Sequence, residues 1–226
     1  MSLNPARMEE RFREAEASVE ERIEPPLALR LDGVGFSEAL SGFRWPRDHR
    51  VHEALLAAAH LLLERFNASM ALVASDEINL VILSEPPYSG RVEKLVSISA
   101  GIASAVVSLR LGRLLFFDSR VVPLSSVTEA GEYMAYRMRV VLNNYVNSLL
   151  KALGVRVENL RGGLADRMRL LEERGVNPLA EPWAALGTCV YRAKASKSIP
   201  ELGVSVERSR LVEVDGYCPT RPRPRS

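Results

Sequence analysis

The stretch Val73-Ala-Ser-Asp-Glu-Ile-Asn-Leu-Val-Ile-Leu83 constrains what this chain can fold into more than any other. Ala71 to Ala74 on one side and Ile78 to Leu83 on the other are apolar and rich in β-branched residues. That is the pattern of two short strands with little polar surface. Between them sits Ser75-Asp76-Glu77, two adjacent carboxylates beside a hydroxyl. In a regular strand Asp76 and Glu77 would point to opposite faces, and one would enter the core at a large desolvation cost. At the tip of a hairpin both can face one solvent-filled cleft. Two carboxylates in such a cleft repel each other unless a cation sits between them. Oxygen-only ligands of this kind suit magnesium. Taken alone, the motif favours the plainer reading of a polar hairpin turn. Its pairing with Asp32 reverses that.

The chain has 226 residues, enough for one large or two small domains with a filled core. A hydrophobic content of 47% excludes general disorder. No apolar run reads as long and unbroken enough to span a bilayer, and Met1 to Glu24 is charged throughout. The expectation is a soluble, unprocessed, cytoplasmic protein with no membrane partner. Cys189 and Cys218 form neither a disulfide framework nor a zinc pattern, and His49, His52 and His60 do not suggest nitrogen-ligated metal chemistry. The net charge is only +2, but lysine occurs only at 94, 151, 194 and 197, so arginine carries nearly all the positive charge. Arginine suits bidentate phosphate recognition, although a GC-rich genome or a hot habitat gives the same bias.

Along the chain, Asn4 to Glu21 has helical spacing with dense mixed charge and ends at Pro25-Pro26. Leu27 to Leu31 reads as a buried strand stopping at Asp32-Gly33, and Ser37 as the cap of a short helix over 38–41. Asp48 starts a helix to about Phe66 with Leu55, Leu56, Ala59, Leu62 and Leu63 on its packed side. After the two hairpin strands and the loop 86–90, a second long helix runs from Arg91 to about Leu111. Its small residues, Ser99 to Gly101, Ala103 and Ser104, permit close packing on a sheet. Leu114 to Phe117 is a fourth strand ending at Asp118.

The order β-α-β-β-α-β is the ferredoxin-like unit, an antiparallel sheet with both crossover helices on one face. Its first and third strands lie side by side in the middle, so the end of strand one meets the hairpin tip. Asp32 and Asp76 are thereby placed together, the palm arrangement of two-metal nucleotidyl transfer. A third helix over about 126–153 carries Asn143, Asn144 and Asn147, which ask for partners or form an exposed polar stripe. Gly162-Gly163 opens a shorter helix to Glu173. Thr188 to Arg192 and Val204 to Val214 read as an accessory hairpin, and the Arg-Pro alternation after Pro219 as a disordered basic tail. The fold class is thus α+β: a βαββαβ palm with additional helices and a C-terminal hairpin. The expected organisation is a helical extension over 1–24, a palm core over 25–124, a helical and hairpin part of the same domain over 125–217, and a tail over 218–226.

Arg30-Leu-Asp-Gly-Val-Gly-Phe-Ser37, Ser75-Asp-Glu77 and Phe117-Asp-Ser-Arg-Val-Val122 resemble three signature blocks of the tRNA-His guanylyltransferase family. Asn143-Asn-Tyr-Val-Asn147 and Gly187-Thr-Cys-Val-Tyr-Arg192 are further matches, all in family order between about Pro26 and Tyr217. The short length looks like the archaeal and bacterial guanylyltransferase-like members, or 3′-5′ polymerases. The resemblance implies a magnesium-dependent nucleotidyltransferase that adds nucleotides to the 5′ end of tRNA, after activation of a 5′-monophosphate by ATP or GTP. It implies two Mg2+ ions held by Asp32 and Asp76 with the Gly33 carbonyl, and Glu77 supporting the catalytic site. It implies nucleotide contacts from the backbone of Gly33, Val34, Gly35, Phe36 and Ser37, and from Arg47, Ser75, Lys94 and Asn147. GTP or another nucleoside triphosphate is the implied substrate, tRNA the partner, and a tetramer or dimer the assembly. The two glycines near a helix start suit close approach of N–H groups to a phosphate.

The chain departs from the family pattern where a histidine is expected at Ser37 and another at Val141. A lysine expected near Trp45 is missing, and the later lysine-asparagine-glutamate reads Arg167-Met168-Arg169. These departures leave the metal carboxylates intact and alter the expected contacts of the activating nucleotide. Templated repair of 5′-truncated tRNA is therefore expected to be favoured over non-templated guanylate addition. Two other readings compete: a palm-domain nucleotide cyclase with the same carboxylates, and an RNA-binding module without chemistry. The helix with three asparagines and the C-terminal hairpin argue against the first. The retained Asp32, Asp76 and Glu77 argue against the second.

Overall fold

A computed structural model describes residues 21–199 and 204–220 of the chain. All but the last residue of the expected helix over Asn4 to Glu21, and the tail from 221 onward, lie outside them. The strands are β1 (Leu27–Val34), β2 (Met70–Ala74), β3 (Glu77–Ile82), β4 (Phe116–Pro123), β5 (Thr188–Ile199) and β6 (Val204–Asp215). The helices are α1 (Phe36–Ala39), α2 (His49–Arg65), α3 (Val92–Leu111), α4 (Val127–Ala152), α5 (Leu164–Glu172) and α6 (Pro182–Ala185).

One antiparallel six-stranded sheet runs in the order β4-β1-β3-β2-β5-β6. The first four strands are the βαββαβ unit, with β1 and β3 central as expected. The C-terminal hairpin extends this sheet: Met70 to Val73 of β2 pair with Thr188 to Tyr191 of β5. β1 also runs further than Leu31, because β4 pairs with it from Leu27↔Pro123 to Val34↔Phe116. Asp118, Ser119 and Arg120 therefore lie inside β4 rather than after it.

β2 and β3 are buried at every position, since the sheet is covered on both faces. Leu27, Leu29, Leu31, Ile78, Leu80 and Ile82 face α2 and α3 in the main core. Ala28, Met70, Leu72, Ala74 and Val81 face α4 through Ala130, Met134 and Val141. Two-sided burial accounts for the unbroken apolar runs in the sequence. The small residues of α3 contact β4 as well as fitting against it: Ser99 Oγ donates to Ser119 Oγ at 2.9 Å, and the Phe117 N–H donates to Ser104 Oγ at 3.0 Å. By length and composition α3 reaches what a bilayer crossing needs, contrary to the expectation that no run does. Its Leu95, Ser99, Ala103 and Val107 form the one stripe of the helix that is buried against the protein.

Helix starts follow local chemistry. The Asp48 side chain accepts from the Arg50 N–H to cap α2, and Ser126 accepts from Glu129 N to cap α4. Ser37 does not cap α1. Gly35, at φ 65°, precedes that helix, and Ser37 is its second residue. The two cysteines do pair, which the sequence reading did not anticipate. Cys189 on β5 and Cys218, 29 residues apart in sequence, are disulfide-bonded with Cα atoms 5.4 Å apart. The β5–β6 hairpin folds back and brings them together. Cys218 is buried, so the anchored chain continues past the expected start of the tail.

Gly187, which joins α6 to β5, adopts φ 89°, and a Cβ there would lie 2.6 Å from the Val73 carbonyl oxygen. Gly187→Ala is expected to destabilise the fold by about 1–3 kcal/mol through left-handed strain and backbone overlap. A urea unfolding midpoint equal to that of the unaltered protein would show that the β2–β5 junction relaxes freely.

Candidate active site

The site forms where β1 ends beside the β2–β3 turn. Ala74 and Glu77 are register partners, so Ser75-Asp76 is a two-residue hairpin loop. Ser75 has φ 62°, a left-handed conformation usually left to glycine. Such conformations cost about 1–3 kcal/mol and collect at functional sites. The Ser75 hydroxyl donates to Asp76 Oδ1 at 2.8 Å, and the Gly33 N–H donates to the Asp76 carbonyl at 3.0 Å. These bonds fix the turn to the residue after Asp32. Gly33 also leaves room for the Phe36 ring, which a Cβ there would overlap at 2.5 Å. That ring packs edge-on against Phe117 at 5.0 Å.

Asp32 lies on the α4 face, with Glu77 of β3 and Asp118 of β4 as its register partners. Burial raises its carboxyl above the usual range; the charges of Glu77, Asp76 and Asp118 raise it further, against the pull of Arg30. Arg30 Nη2 bonds both Asp32 Oδ2 at 2.8 Å and Glu77 Oε1 at 2.9 Å.

Glu77 does not face a solvent-filled cleft, as the hairpin-tip reading expected. As the first residue of β3 it turns inward beneath α4 and is buried. Arg137 Nη2 bonds both its carboxylate oxygens, at 2.6 Å to Oε2, and Asn79 Nδ2 donates to Oε2 at 3.3 Å. The Tyr133 hydroxyl donates to Asn79 Oδ1 at 2.8 Å, and burial pushes that phenol up to about 12. With Arg30 and Arg137 engaged, the Glu77 oxygens are occupied, and its place is behind Asp32 as a brace. The sequence reading did not place Arg137 or Tyr133 at the site. The available signal was an arginine on the buried stripe Ala130, Met134, Arg137, Val141 of an amphipathic helix.

On the other side of the turn, Ser75 and Asp76 border a cavity of about 260 Å3. Phe36, Ser37, Leu40, Phe43, Trp45, Arg47, Asp48, Val51, His52, Ser148 and Trp183 share its wall. Arg47 is mostly buried; desolvation lowers its guanidinium, and Asp76 and then Tyr145 raise it. Its Nη1 donates to the Pro46 carbonyl at 2.9 Å, while its buried Nε has no partner among the described residues.

The other expected site residues are distributed. Gly33, Val34, Gly35, Phe36 and Ser37 run directly from Asp32 along the site. Asn147 accepts from Arg167 Nη1 at 2.9 Å, whereas Ser148 beside it reaches the cavity. Val141 is packed in the apolar cluster under α4. Lys94 is not brought to the site within one chain. It lies in the first turn of α3 beside Arg91, which bridges to Arg22 upstream of β1. That is the far end of β1 from Asp32, roughly 15 Å away at 3.3 Å per residue.

The donor set suits a hard cation. Asp32 and Asp76 offer carboxylate oxygens beside backbone carbonyls, and the raised Asp32 carboxyl marks an excess of negative charge that a cation would relieve. Among the described residues no group of three or more His, Cys, Asp or Glu side chains forms a metal cage. Magnesium sites need none, because one or two carboxylates plus substrate phosphates and water complete them.

The sequence profile of the tRNAHis guanylyltransferase family matches residues 9–125. An uncharacterized protein of Acanthamoeba polyphaga mimivirus is 31% identical over 115 residues, covering 45% of this chain. The match spans 38% of the length of that curated relative. Among solved structures, a bacterial tRNA(His) guanylyltransferase-like protein in complex with GTP superposes with TM-score 0.76 at 22% identity, covering 94% of this chain and 93% of that one. A bacterial protein of the same description in complex with ATP gives 0.73 at 22% identity, covering 81% and 88%. The Saccharomyces cerevisiae tRNA(His) guanylyltransferase gives 0.65 at 21% identity, covering 76% and 88%. At these identities the structural likeness establishes the shared fold.

The brace behind Asp32 makes a measurable prediction. Arg137→Met is expected to cost about 3 kcal/mol, since it strips a buried carboxylate of a main partner. Adding Glu77→Gln should restore much of that loss, because the charge needing compensation is then gone. Additive losses in a urea double-mutant cycle would contradict the pairing.

Proposed function

The chain belongs to the tRNAHis guanylyltransferase family, a family of nucleotidyltransferases, and from that premise we propose that it adds nucleotides to the 5′ end of tRNA with magnesium. The observation that carries this reading is the meeting of Asp32 with the Ser75-Asp76 turn, one hydrogen bond away through Gly33 N–H. A cavity lined by charged and apolar side chains borders the same turn. Asp32 and Asp76 would hold two Mg2+ ions, with the Gly33 carbonyl as a further oxygen. When bound, the ions would offset charge on the phosphates and favour ionisation of the attacking hydroxyl.

The chain's own groups divide the remaining work. Arg47, with a buried Nε free of described partners, would take a phosphate oxygen beside Asp76. Ser75 would hold Asp76 in direction, as its hydroxyl already does. Arg30 and Arg137 hold Glu77 and Asp32 in place without entering the chemistry. In the reaction, the 3′-hydroxyl of an incoming nucleotide attacks the α-phosphorus of a 5′-triphosphorylated tRNA end. A new P–O bond forms, the α–β bond breaks, and pyrophosphate leaves. A 5′-monophosphate end would first be activated by ATP or GTP. Asn147 would reach a phosphate only after leaving Arg167. Lys94 would serve a nucleotide only from another protomer, which accords with the tetramer or dimer proposed for this chain.

Labelled tRNA transcripts incubated with each nucleoside triphosphate and Mg2+ test this by product length. Asp32→Ala and Asp76→Ala should each lower addition about a thousandfold or more, the equivalent of several kcal/mol of transition-state stabilisation. Near-normal turnover in either folded variant would remove the metal assignment. A cyclic nucleotide as the only product would support the cyclase reading instead.

A second expectation concerns substrate choice. Ser37 places a short hydroxyl in the cavity wall, where the family pattern has a histidine. A lost hydrogen bond in a desolvated pocket weakens binding by about 0.5–1.5 kcal/mol. The activation step should suffer, and elongation directed by the opposite tRNA strand should not. In competition, 5′-truncated tRNA should be extended in preference to full-length histidine tRNA, most clearly with 5′-monophosphate ends. Equal non-templated addition to the monophosphate would show that other contacts have replaced the missing one.

A further inference from the structure

One corner of the sheet is left uncovered. On the α4 face, Ala28 of β1 is buried with Met134 and Val141 of that helix, and Val122 of β4 packs against them. Towards the other end of the same two strands the cover stops. β1 and β4 pair there as Arg30↔Arg120, Asp32↔Asp118 and Val34↔Phe116. These three rungs alternate with the positions that face α2 and α3, so all of them share the α4 face. Arg120, Asp118, Phe116 and Val34 are exposed.

The first two rungs are polar and internally compensated. Like charges stand opposite each other, Arg30 to Arg120 and Asp32 to Asp118, which is unfavourable across a strand pair. Each strand offsets this with an ion pair along its own length, Arg30 to Asp32 at 2.8 Å and Arg120 to Asp118 at 3.0 Å. The third rung has no such partner. Phe116 is 60% exposed and Val34 51%, and neither belongs to a hydrophobic cluster among the described residues. Phe117 serves the fold instead, since its ring turns to the opposite face and packs on Phe36. An apolar pair open to water at a sheet edge is a liability unless something covers it.

The position of the rung identifies the cover. Phe116 is two residues from Asp118, roughly 7 Å along the strand, so its occupant lies beside the carboxylates. The opposite face of the sheet is closed by α2 and α3, and α4 lies over β2 and β3. The cavity beyond the Ser75-Asp76 turn, about 260 Å3, is too small to take the end of a duplex. A tRNA end that reacts at Asp32 and Asp76 must therefore come in over the open corner. We propose that Phe116, flanked by Val34, is the platform on which the last base pair at the 5′ end of the tRNA stacks. The inference rests on the tRNA reading of the site and adds to it the residue that seats the stem. Arg120, exposed on the same face, is a cation for the neighbouring backbone phosphate. Every base pair offers a π face, so an aromatic platform serves tRNAs of any end sequence.

The test uses the full chain and its Phe116→Ala and Phe116→Tyr variants, with a tRNA transcript carrying 2-aminopurine in its end pair. The unaltered protein should quench the 2-aminopurine fluorescence on binding. Phe116→Ala should weaken tRNA binding about fivefold or more and lose the quenching. Its GTP affinity and urea midpoint should stay unchanged. Phe116→Tyr keeps the ring and should restore both tRNA signals. Unchanged tRNA binding in Phe116→Ala, equal losses in the two variants, or no quenching by the unaltered protein would overturn the platform and leave the nucleotide site standing. A lower sedimentation mass for Phe116→Ala would overturn it too, making the rung an interface between copies of the chain. An unaltered protein that binds GTP but no tRNA would overturn the tRNA reading, and this inference with it.

Discussion

The brace of Arg30, Glu77 and Arg137 is the constraint on which the site depends. Glu77 sits at the head of a strand buried throughout, under a helix, where an uncompensated carboxylate would cost several kcal/mol. Two guanidiniums meet it there, and one of them reaches on to Asp32. The consequence for Asp32 is mixed. Arg30 pulls its pKa down, but burial and three neighbouring carboxylates push it up, and the raising effects win. Replacing the brace by apolar side chains of equal volume could leave the fold as stable. It would not hold Asp32 in one direction. The ionic cluster therefore contributes orientation more than stability.

Covering the sheet on both faces explains why all this is concentrated at one end. The middle of β1, β2 and β3 is closed to water by α2 and α3 below and α4 above. Polar chemistry is left to the strand ends, and β1 ends where β2 turns into β3. A left-handed Ser75 and a Gly33 crossed by the Phe36 ring are tolerated there because the sheet and both helix layers hold the surrounding backbone.

What the sequence revealed, and what it hid, divides along the range of the interactions. The βαββαβ order was readable because periodicity is local and the crossover rule leaves few topologies. The same rule placed Asp32 by Asp76 across a separation of 44 residues. The direction of Glu77 was not readable. A residue at a strand head can point into a cleft or under a helix, and the choice was made by Arg137, 60 residues away. That α4 would cover the open face, and that the hairpin would continue the sheet from β2, were likewise decided by which apolar faces remained unpaired. Lys94 resembles a site residue by its neighbours in sequence. The antiparallel path of the chain carries it to the opposite end of the sheet. Cys189 and Cys218 had no spacing signature, since only the hairpin between them brings their backbones together.

The Ser75-Asp76 turn belongs to both the carboxylate pair and the cavity. On one side Asp76 meets the residue after Asp32 through Gly33; on the other it faces Arg47 and the cavity. Trp183 and His52 in the cavity wall lie against each other, and His52 is held by the head of the C-terminal hairpin through Thr188. The hairpin thus has a role beyond lengthening the sheet. Thr188 and Asp215 orient one imidazole, so a segment beyond the four-stranded palm acts on the inner wall of the site.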